Sequence, residues 1–232
     1  MHAKDRLIVA LDVPSAEDAR SLIDALGDSV GVYKIGLELL FSGGFTLAEA
    51  LAGSGRAVFV DAKLADIEAT VERATAAIAR SGAAFLTVHA LDKKTIAAAV
   101  RGRGDSALKL LGVTVLTNLA PADLIEQGLD HPLPEIVLHR ATLAKKAGFD
   151  GVIASGHEAA ELRRALGRDF LIVTPGVRPS GSEAQDQTRA VTPKQAILAG
   201  ADYLVVGRPI TRAADPRQAA ESIVAEIMAA LP

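Results

Sequence analysis

Three ionisable residues, Asp61, Lys63 and Asp66, follow an apolar run in the segment VFVDAKLADIEAT, which covers residues 58–70. Side chains along a β-strand alternate between its two faces, so Asp61 and Lys63 are predicted to point the same way. An acid and a base therefore share one candidate site. Such a pair is suited to proton transfer and to stabilising charge on a substrate.

Polar residues also stand at the ends of other predicted strands. Asp12 ends the first strand, Lys34 lies on the second, His89 ends the fourth and Thr117 ends the fifth. Two acids and two bases at the ends of three successive strands predict an alternating charged network, because an unpaired charge in a water-poor pocket is costly. The alternative is that each charge caps a strand or is solvated at its end. His89 is assigned no catalytic role, and the histidines show no metal-ligand spacing.

A second group of residues is suited to holding an anion. It comprises the segment VTPGVRPSGSEAQDQTRAVTP, residues 173–193, and the segment YLVVGRPIT, residues 203–211. Gly207 would allow close backbone approach, and Arg208 could form a bidentate pair with phosphate oxygens. The alternative is an exposed turn with a solvated arginine. Two further residues lie where the first segment could fold over a ligand as a lid: Arg178 and Gln187.

Eight short apolar runs predict the strands that position these groups. They begin at residues 7, 32, 57, 85, 109, 151, 170 and 203. Ala-rich segments with helical spacing separate them, often closed by Gly. Strands alternating with amphipathic helices predict a parallel sheet, and eight such units match a single-domain (β/α)8 TIM barrel over residues 1–232. The alternative is an open, doubly wound sheet, although the first βα turn lacks the Gly-x-Gly-x-x-Gly of dinucleotide-binding folds.

Composition narrows the classes of function. The chain has 232 residues, 50% of them hydrophobic, a formal charge of -3 and no cysteine. Its basic residues are scattered, so no nucleic-acid partner is predicted. Disulfides, cysteine metal sites and thiol catalysis are excluded. The segment MHAKDR precedes the first strand without a long apolar stretch or cleavage site, which predicts a cytoplasmic protein without membrane attachment.

These motifs together resemble the orotidine 5'-monophosphate decarboxylase family, and the likeness extends over nearly the whole chain. The family pattern Asp-x-Lys-x-x-Asp-Ile-x-x-Thr matches Asp61 to Thr70. The pattern Pro-Gly-x-Arg-Pro matches residues 175–179, and Asp-Gln-x-Arg followed by Thr-Pro matches 186–189 and 192–193. The first motif is shared with metal-dependent sugar-phosphate enzymes of a wider suprafamily, whereas the seventh-strand motif is more specific to the decarboxylase.

The resemblance implies decarboxylation of orotidine 5'-monophosphate to uridine 5'-monophosphate. Lys63 would stabilise and protonate the C6 carbanion, and Asp61 would oppose the substrate carboxylate. It further implies that Lys34 and Asp12 hold the network and the ribose hydroxyls, with Thr117 near the nucleotide. The remaining implied contacts, chiefly to phosphate, are Pro175, Arg178, Gln187, Gly207 and Arg208.

The family is typically a homodimer. By resemblance, Asp66, Ile67 and Thr70 would reach the neighbouring subunit's site, which makes Asp66 a catalytic residue of the partner. One departure from the family pattern is Glu68-Ala69 in place of Pro-Asn, which is expected to alter the start of a helix rather than the chemistry.

No metal and no cofactor is expected. Hard divalent cations need several oxygen ligands, and the ammonium of Lys34 would oppose their binding. By resemblance, the magnesium-dependent relatives have a metal-binding Glu at the position of Lys34. Two alternatives remain at this point: a magnesium-dependent sugar-phosphate decarboxylase or aldolase, and a nucleotide-binding module without catalysis.

Overall fold

The computed structural model describes residues 2–179 and 191–231, in which eight parallel strands close into one barrel. Each strand pairs with its neighbour in the sequence, and the last pairs with the first, with Leu7 opposite Leu204. This closure confirms the predicted (β/α)8 barrel and excludes the open sheet. The strands are β1 (Leu7–Ala10), β2 (Val32–Ile35), β3 (Ala57–Leu64), β4 (Phe85–His89), β5 (Lys109–Val113), β6 (Gly151–Ile153), β7 (Leu171–Thr174) and β8 (Tyr203–Val206).

Helices follow every strand and cover the outside of the barrel. None of them, within the described ranges, combines the length and apolarity needed to cross a membrane. A 3-10 turn at Ala3–Arg6 precedes β1, and a π-helical turn at Leu40–Gly44 precedes the helix that begins at Phe45. The α-helices are α1 (Ala16–Leu26), α2 (Leu37–Leu39), α3 (Phe45–Gly53), α4 (Glu68–Arg80), α5 (Lys93–Arg103), α6 (Pro121–Glu126), α7 (Leu133–Ala147), α8 (Ala159–Leu166), α9 (Pro193–Leu198), α10 (Arg208–Thr211) and α11 (Pro216–Met228).

Capping residues fix where several helices begin and end. Ser15 Oγ accepts a hydrogen bond from the N–H of Asp18 at the start of α1, and Asp92 Oδ1 accepts from two N–H groups at the start of α5. These side chains satisfy backbone donors that have no partner inside the helix. Gly27 and Gly104 end the same two helices with φ of 55° and 54°, a conformation that a residue with a Cβ adopts at a cost.

Two apolar layers meet at the strands. Outward side chains pack against the helices, while inward side chains fill the lower part of the barrel. The inward layer includes three aromatic rings, Phe59, Phe85 and Tyr203, whose successive centroids lie 5.9 and 5.3 Å apart in edge-to-face contacts. This plug makes the barrel a filled core rather than a pore.

The strands end earlier than the apolar runs indicate. β1 ends at Ala10, not at Asp12, and β5 ends at Val113, not at Thr117, so both predicted ends were wrong. Leu11 remains fully buried beyond the end of β1. Its N–H still donates to the carbonyl of Lys34 in β2 at 2.9 Å, so the chain stays in contact with the sheet and the core one residue beyond the assigned strand. The connection that follows β5 contains α6.

The other end of the barrel, at the strand N-termini, is held by two similar ion pairs. Asp150 Oδ2 accepts hydrogen bonds from Arg103 at 3.0 Å and from the N–H of Leu110 in β5 at 2.8 Å. Asp202 Oδ2 accepts from Arg163 and from the backbone N–H of β7 in the same way. Each aspartate precedes one strand and binds the strand before it. We call these pairs the lower clamps.

Candidate active site

The predicted site residues converge on a cavity at the C-terminal ends of the strands. Its volume is about 450 Å³, in the range of small-molecule sites. Phe59 and Val205, from the inward apolar layer, also line it. The residues that sequence analysis placed in the site and that line the cavity are Asp12, Lys34, Asp61, Lys63, Thr117, Pro175, Arg178, Gly207 and Arg208.

Four of these residues form an alternating charged row. Lys34 Nζ lies 3.1 Å from Asp12 Oδ1 and 3.2 Å from Asp61 Oδ2, and Lys63 Nζ lies 2.8 Å from the same Asp61 oxygen. The side chains of Lys34 and Asp61 are 8% and 11% exposed, whereas that of Lys63 is 31% exposed. The predicted network of two acids and two bases is therefore present, and Lys63 is the more accessible of its two ammonium groups.

The two buried members of this row, Lys34 and Asp61, are held ionised by their neighbours. Burial alone would raise the pKa of Asp61, but the ammonium groups of Lys34 and Lys63 outweigh burial and lower it. Burial would likewise lower the pKa of Lys34, yet the carboxylates of Asp61 and Asp12 raise it. Both shifts favour the charged forms. A carboxylate and an ammonium group thus persist side by side at buried positions.

The backbone at Lys63 is unusual. Its φ is 46°, the one positive value at a non-glycine residue among the described positions. Regular pairing of β3 with β4 is interrupted between Val60 and Leu64, so a β-bulge falls on this segment. A non-glycine residue with positive φ costs on the order of 1–3 kcal/mol, and such strain is common at functional sites. Simple strand alternation predicted that Asp61 and Lys63 would meet, but not this bulge.

Two residues beside the row were not predicted from the sequence. Thr87, fully buried in β4, donates a hydrogen bond to Asp61 Oδ1 at 2.8 Å and accepts one from the N–H of Lys63 at 2.9 Å. Gly36 follows β2, where a Cβ would come within 2.8 Å of Asp12 Oδ1 and 2.9 Å of Lys34 Nζ. Period-2 spacing back from His89 could have placed Thr87 on the inward face; nothing in the sequence marks Gly36.

A second, more cationic wall of the cavity adjoins this row, since a Cβ on Gly207 would come within 3.9 Å of Asp12 Oδ2. Arg178 and Arg208 line it, with Gly207 immediately before the first residue of α10. The backbone N–H of Arg178 donates to the carbonyl of Val191 at 3.0 Å, which ties the end of β7 to the segment before α9. Guanidinium groups and a helix start both favour an anion. Gln187, predicted to bind the same anion, lies outside the described residues.

The third-strand motif continues away from the cavity. Asp66 and Ile67 are exposed, Ile67 to 72%, and neither they nor Thr70 lines the pocket of their own chain. Asp66 Oδ1 accepts a hydrogen bond from the N–H of Ile67 at 2.6 Å. Glu68 and Ala69, the departure from the family pattern, form the first turn of α4.

His89 stands close to the row without joining it. Burial lowers its pKa, and the charges of Lys63 and Arg140 lower it further. A neutral imidazole is therefore favoured near the ammonium of Lys63. Across residues 2–179 and 191–231, no three His, Asp or Glu side chains group in a way that could hold a metal ion.

A closed (β/α)8 barrel with an acid–base row and a cationic wall at its C-terminal end defines an enzyme for a small anionic substrate. The comparison with known families makes this specific. Residues 5–223 match the model of the "Orotidine 5'-phosphate decarboxylase / HUMPS family". The chain belongs to this family.

Curated relatives match this chain over nearly all of their length. Orotidine 5'-phosphate decarboxylase of Rhodopseudomonas palustris strain BisB5 is 54% identical over 224 residues, which cover 97% of this chain and 95% of the relative. The enzyme of the same name from Methylobacterium nodulans is 54% identical over 230 residues, covering 98% and 97%. The prediction of a carboxy-lyase is confirmed by these relatives.

Solved structures show the same fold. Orotidine 5'-phosphate decarboxylase from Lactobacillus acidophilus superposes with a TM-score of 0.84 at 40% identity, covering 95% of this chain and 98% of that one. An uncharacterized conserved protein from Geobacillus kaustophilus gives a TM-score of 0.80 at 35% identity, with 95% and 99% covered. The barrel of this chain is therefore the fold of solved structures that share 35–40% of its sequence.

Proposed function

We propose that the protein converts orotidine 5'-monophosphate to uridine 5'-monophosphate and carbon dioxide, the last step of de novo uridine 5'-monophosphate biosynthesis, without a metal or cofactor. The observation that carries the proposal is the Asp12–Lys34–Asp61–Lys63 row in the cavity of a chain that belongs to this family. Location in the cytoplasm stays a prediction, in keeping with a biosynthetic enzyme.

Lys63 is the proposed catalytic acid. When the bond between C6 and the carboxylate breaks, its electron pair stays on C6 as an anion in the ring plane that the pyrimidine delocalises poorly. The ammonium of Lys63 lies in the cavity and is accessible, so it can stabilise this anion and then give it a proton. Carbon dioxide leaves, and the neutral amine regains its proton from solvent.

Asp61 is proposed to face the substrate carboxylate. Two like charges about 4 Å apart interact by about 4 kcal/mol at an effective dielectric constant of 20. Lys34 and Lys63 offset part of this repulsion, since both contact Asp61. Repulsion alone therefore cannot supply the whole rate enhancement, and stabilisation of the carbanion by Lys63 is the larger part of the proposal.

The cationic wall is proposed to hold the nucleotide. Arg208, Gly207 and Arg178 suit a phosphate, and Gln187 is proposed to join them from the segment between Pro179 and Val191. Asp12 is proposed to bind the ribose hydroxyls together with Lys34. Remote phosphate binding can then supply energy for assembling the site around the reacting carbon. Thr117 and Pro175 line the same cavity and are proposed to contact the nucleotide.

A homodimer is proposed to complete the site. Asp66, Ile67 and Thr70 follow β3 beside the cavity but do not line it, and Ile67 is 72% exposed. An exposed isoleucine next to an active site suits an interface in which each subunit lends these residues to its neighbour. Dilution below the dimer dissociation constant should then reduce activity per chain.

Metal independence is proposed because Lys34 occupies the centre of the row. Its Nζ lies within 3.2 Å of two carboxylates that a divalent cation would otherwise use as ligands. A cation bound to these carboxylates would lie next to the ammonium of Lys34, and the two positive charges would repel each other.

One assay tests the function. Purified protein is incubated with orotidine 5'-monophosphate and excess chelator, and the ultraviolet change that accompanies loss of the carboxylate is followed. Conversion to uridine 5'-monophosphate at an undiminished rate is expected. Absence of conversion with tight product binding would identify a binding module, and activity only after magnesium is restored would identify a metal-dependent lyase; either result overturns the proposal.

A further inference from the structure

Thr87 forms hydrogen bonds to both Asp61 and Lys63 from the neighbouring strand β4. Its hydroxyl hydrogen is used on Asp61 Oδ1 at 2.8 Å, and its oxygen accepts the backbone N–H of Lys63 at 2.9 Å. A threonine hydroxyl has one donor and two acceptor sites, so both contacts are satisfied at once. The residue is fully buried and therefore touches Asp61 and Lys63 rather than a substrate.

The register of the sheet explains why a hydroxyl stands here. Val60 pairs with Leu86 and Leu64 pairs with Val88, so the three β3 residues 61–63 lie opposite Thr87 alone. The bulge removes regular ladder partners from this stretch, and a buried N–H without a partner is strongly disfavoured. The side chain of Thr87 supplies the missing acceptor to Lys63, whose φ is 46°.

Because of this contact, the two oxygens of the Asp61 carboxylate have different partners. Oδ1 is held by Thr87, while Oδ2 is left to Lys63 at 2.8 Å and Lys34 at 3.2 Å. Both oxygens have partners in fixed directions, so the plane of the carboxylate is set. Burial raises the pKa of Asp61, the two lysines lower it, and the hydrogen bond from Thr87 lowers it further by a smaller amount.

We propose that Thr87 is a positioning residue for decarboxylation, which fixes the Asp61 carboxylate and the strained Lys63 backbone in their reactive arrangement. This inference rests on the proposed roles of Asp61 and Lys63. It assigns Thr87 no contact with substrate. Its hydroxyl, rather than its methyl group, carries the function.

The test replaces Thr87 by Val, which keeps the branched shape and removes the hydroxyl, and by Ser, which keeps the hydroxyl. Leaving a charged acceptor and a buried N–H without their partner should lower kcat of Thr87→Val roughly ten- to a hundredfold with little change in KM. Thr87→Ser should recover most of the loss. Where Thr87→Val is too unstable to assay at 25 °C, the three proteins are compared at a lower temperature, with the folded fraction measured beside kcat.

Thr174 provides a matched control. It is a fully buried threonine at the end of β7, and its hydroxyl has no hydrogen-bond partner within the described ranges. Thr174→Val should therefore leave kcat within about twofold of the wild type, since no contact is lost. An equal loss in the two valine variants would show that any buried β-strand hydroxyl matters, and would overturn the assignment.

A pH profile separates positioning from simple destabilisation. The charged groups around Asp61 are Lys34 and Lys63, with Asp12 beyond Lys34 and His89 near Lys63. Thr87→Val leaves all of them in place but removes one hydrogen bond to the carboxylate. The acid limb of kcat/KM should move to higher pH in this variant and return towards the wild-type position in Thr87→Ser.

The outcomes distinguish this inference from the proposed function. Wild-type protein without turnover counts against the function, whereas an active wild type with an unchanged Thr87→Val counts against positioning alone. Equal losses in Val and Ser variants also overturn it. A crystal structure of Thr87→Val gives a readout that needs no activity: a turned Asp61 carboxylate or a relaxed Lys63 backbone supports the inference, and unchanged geometry overturns it.

Discussion

The two ends of the barrel use charged pairs in opposite ways. At the lower clamps each aspartate oxygen binds one arginine and one strand N–H, as Asp150 does with Arg103 and Leu110. At the C-terminal end one oxygen of Asp61 is shared by two lysines, next to a backbone with positive φ. The lower end satisfies its charges locally and holds strands together. The C-terminal end, in contrast, holds several charges and a strained backbone residue beside the cavity.

The largest effect should come from removing the carboxylate of Asp61, which contacts both lysines. Asp61→Asn removes the carboxylate that balances the buried ammonium of Lys34, so the free energy of unfolding at pH 7 should fall by about 3 kcal/mol and turnover should collapse. Urea unfolding and a steady-state assay measure the two losses. Exposed Asp105→Asn is the matched control and should change neither.

The stability lost in Asp61→Asn should depend on pH. The pKa of Asp61 is lowered in the folded protein from its ordinary 3.8. The unfolded chain therefore binds this proton more readily, so the stabilisation is present above about pH 4 and is lost as the pH falls further. The difference in unfolding free energy between wild type and variant should shrink below pH 4. A difference that stays constant from pH 7 to pH 3 would show that Asp61 is not held ionised.

Breaking a lower clamp should separate stability from activity. Arg163 donates to Asp202 and to the carbonyls of Gly167, Phe170 and Gly200. Arg163→Ala should lower the free energy of unfolding by about 2 kcal/mol, because several acceptors lose a charged donor, and should leave kcat nearly unchanged below the melting range. Thermal unfolding and the assay at 25 °C measure both.

The neighbouring arginine is a natural control for that change. Arg164 is exposed on the same helix, so Arg164→Ala should leave both Tm and kcat close to the wild-type values. A large fall in kcat for Arg163→Ala at unchanged stability would contradict the division between the two ends.

A smaller effect is expected from crowding the row without removing a charge. The Cβ of Gly36→Ala would meet Asp12 Oδ1 and Lys34 Nζ at less than 3 Å, so both side chains must move. We expect kcat to fall roughly tenfold, since misplacement of about 1 Å can cost up to a hundredfold. Gly53→Ala, where an added Cβ meets nothing within 4 Å, is the control. Equal kinetics of the two variants would show that the row tolerates displacement.

The smallest effect isolates the strain at Lys63. Glycine adopts a φ of 46° readily, whereas alanine does not, so Lys63→Gly should be more stable than Lys63→Ala by about 1 kcal/mol. Both variants lose the ammonium equally. Urea unfolding of the pair measures the difference, and an alanine variant that is the more stable of the two would show that the backbone here is not strained.

The sequence allowed much of the C-terminal end to be predicted because inward positions recur every second residue. That spacing placed Asp61 and Lys63 on one face, and the barrel placed Asp12 and Lys34 beside them. The bulge that gives Lys63 its positive φ depends on pairing with β4, a tertiary contact that local spacing does not encode. The contacts of Arg163 could not be predicted from local spacing either, because they join residues up to 39 positions apart.

The central claim is that the ammonium of Lys63 carries the chemistry of this barrel. Its most direct test is kcat for orotidine 5'-monophosphate in the presence of chelator, compared between the wild type and a folded Lys63→Ala variant. We predict a loss of about 10⁴-fold or more, since charge stabilisation and proton transfer disappear together. Retention of substantial turnover by Lys63→Ala would contradict the account.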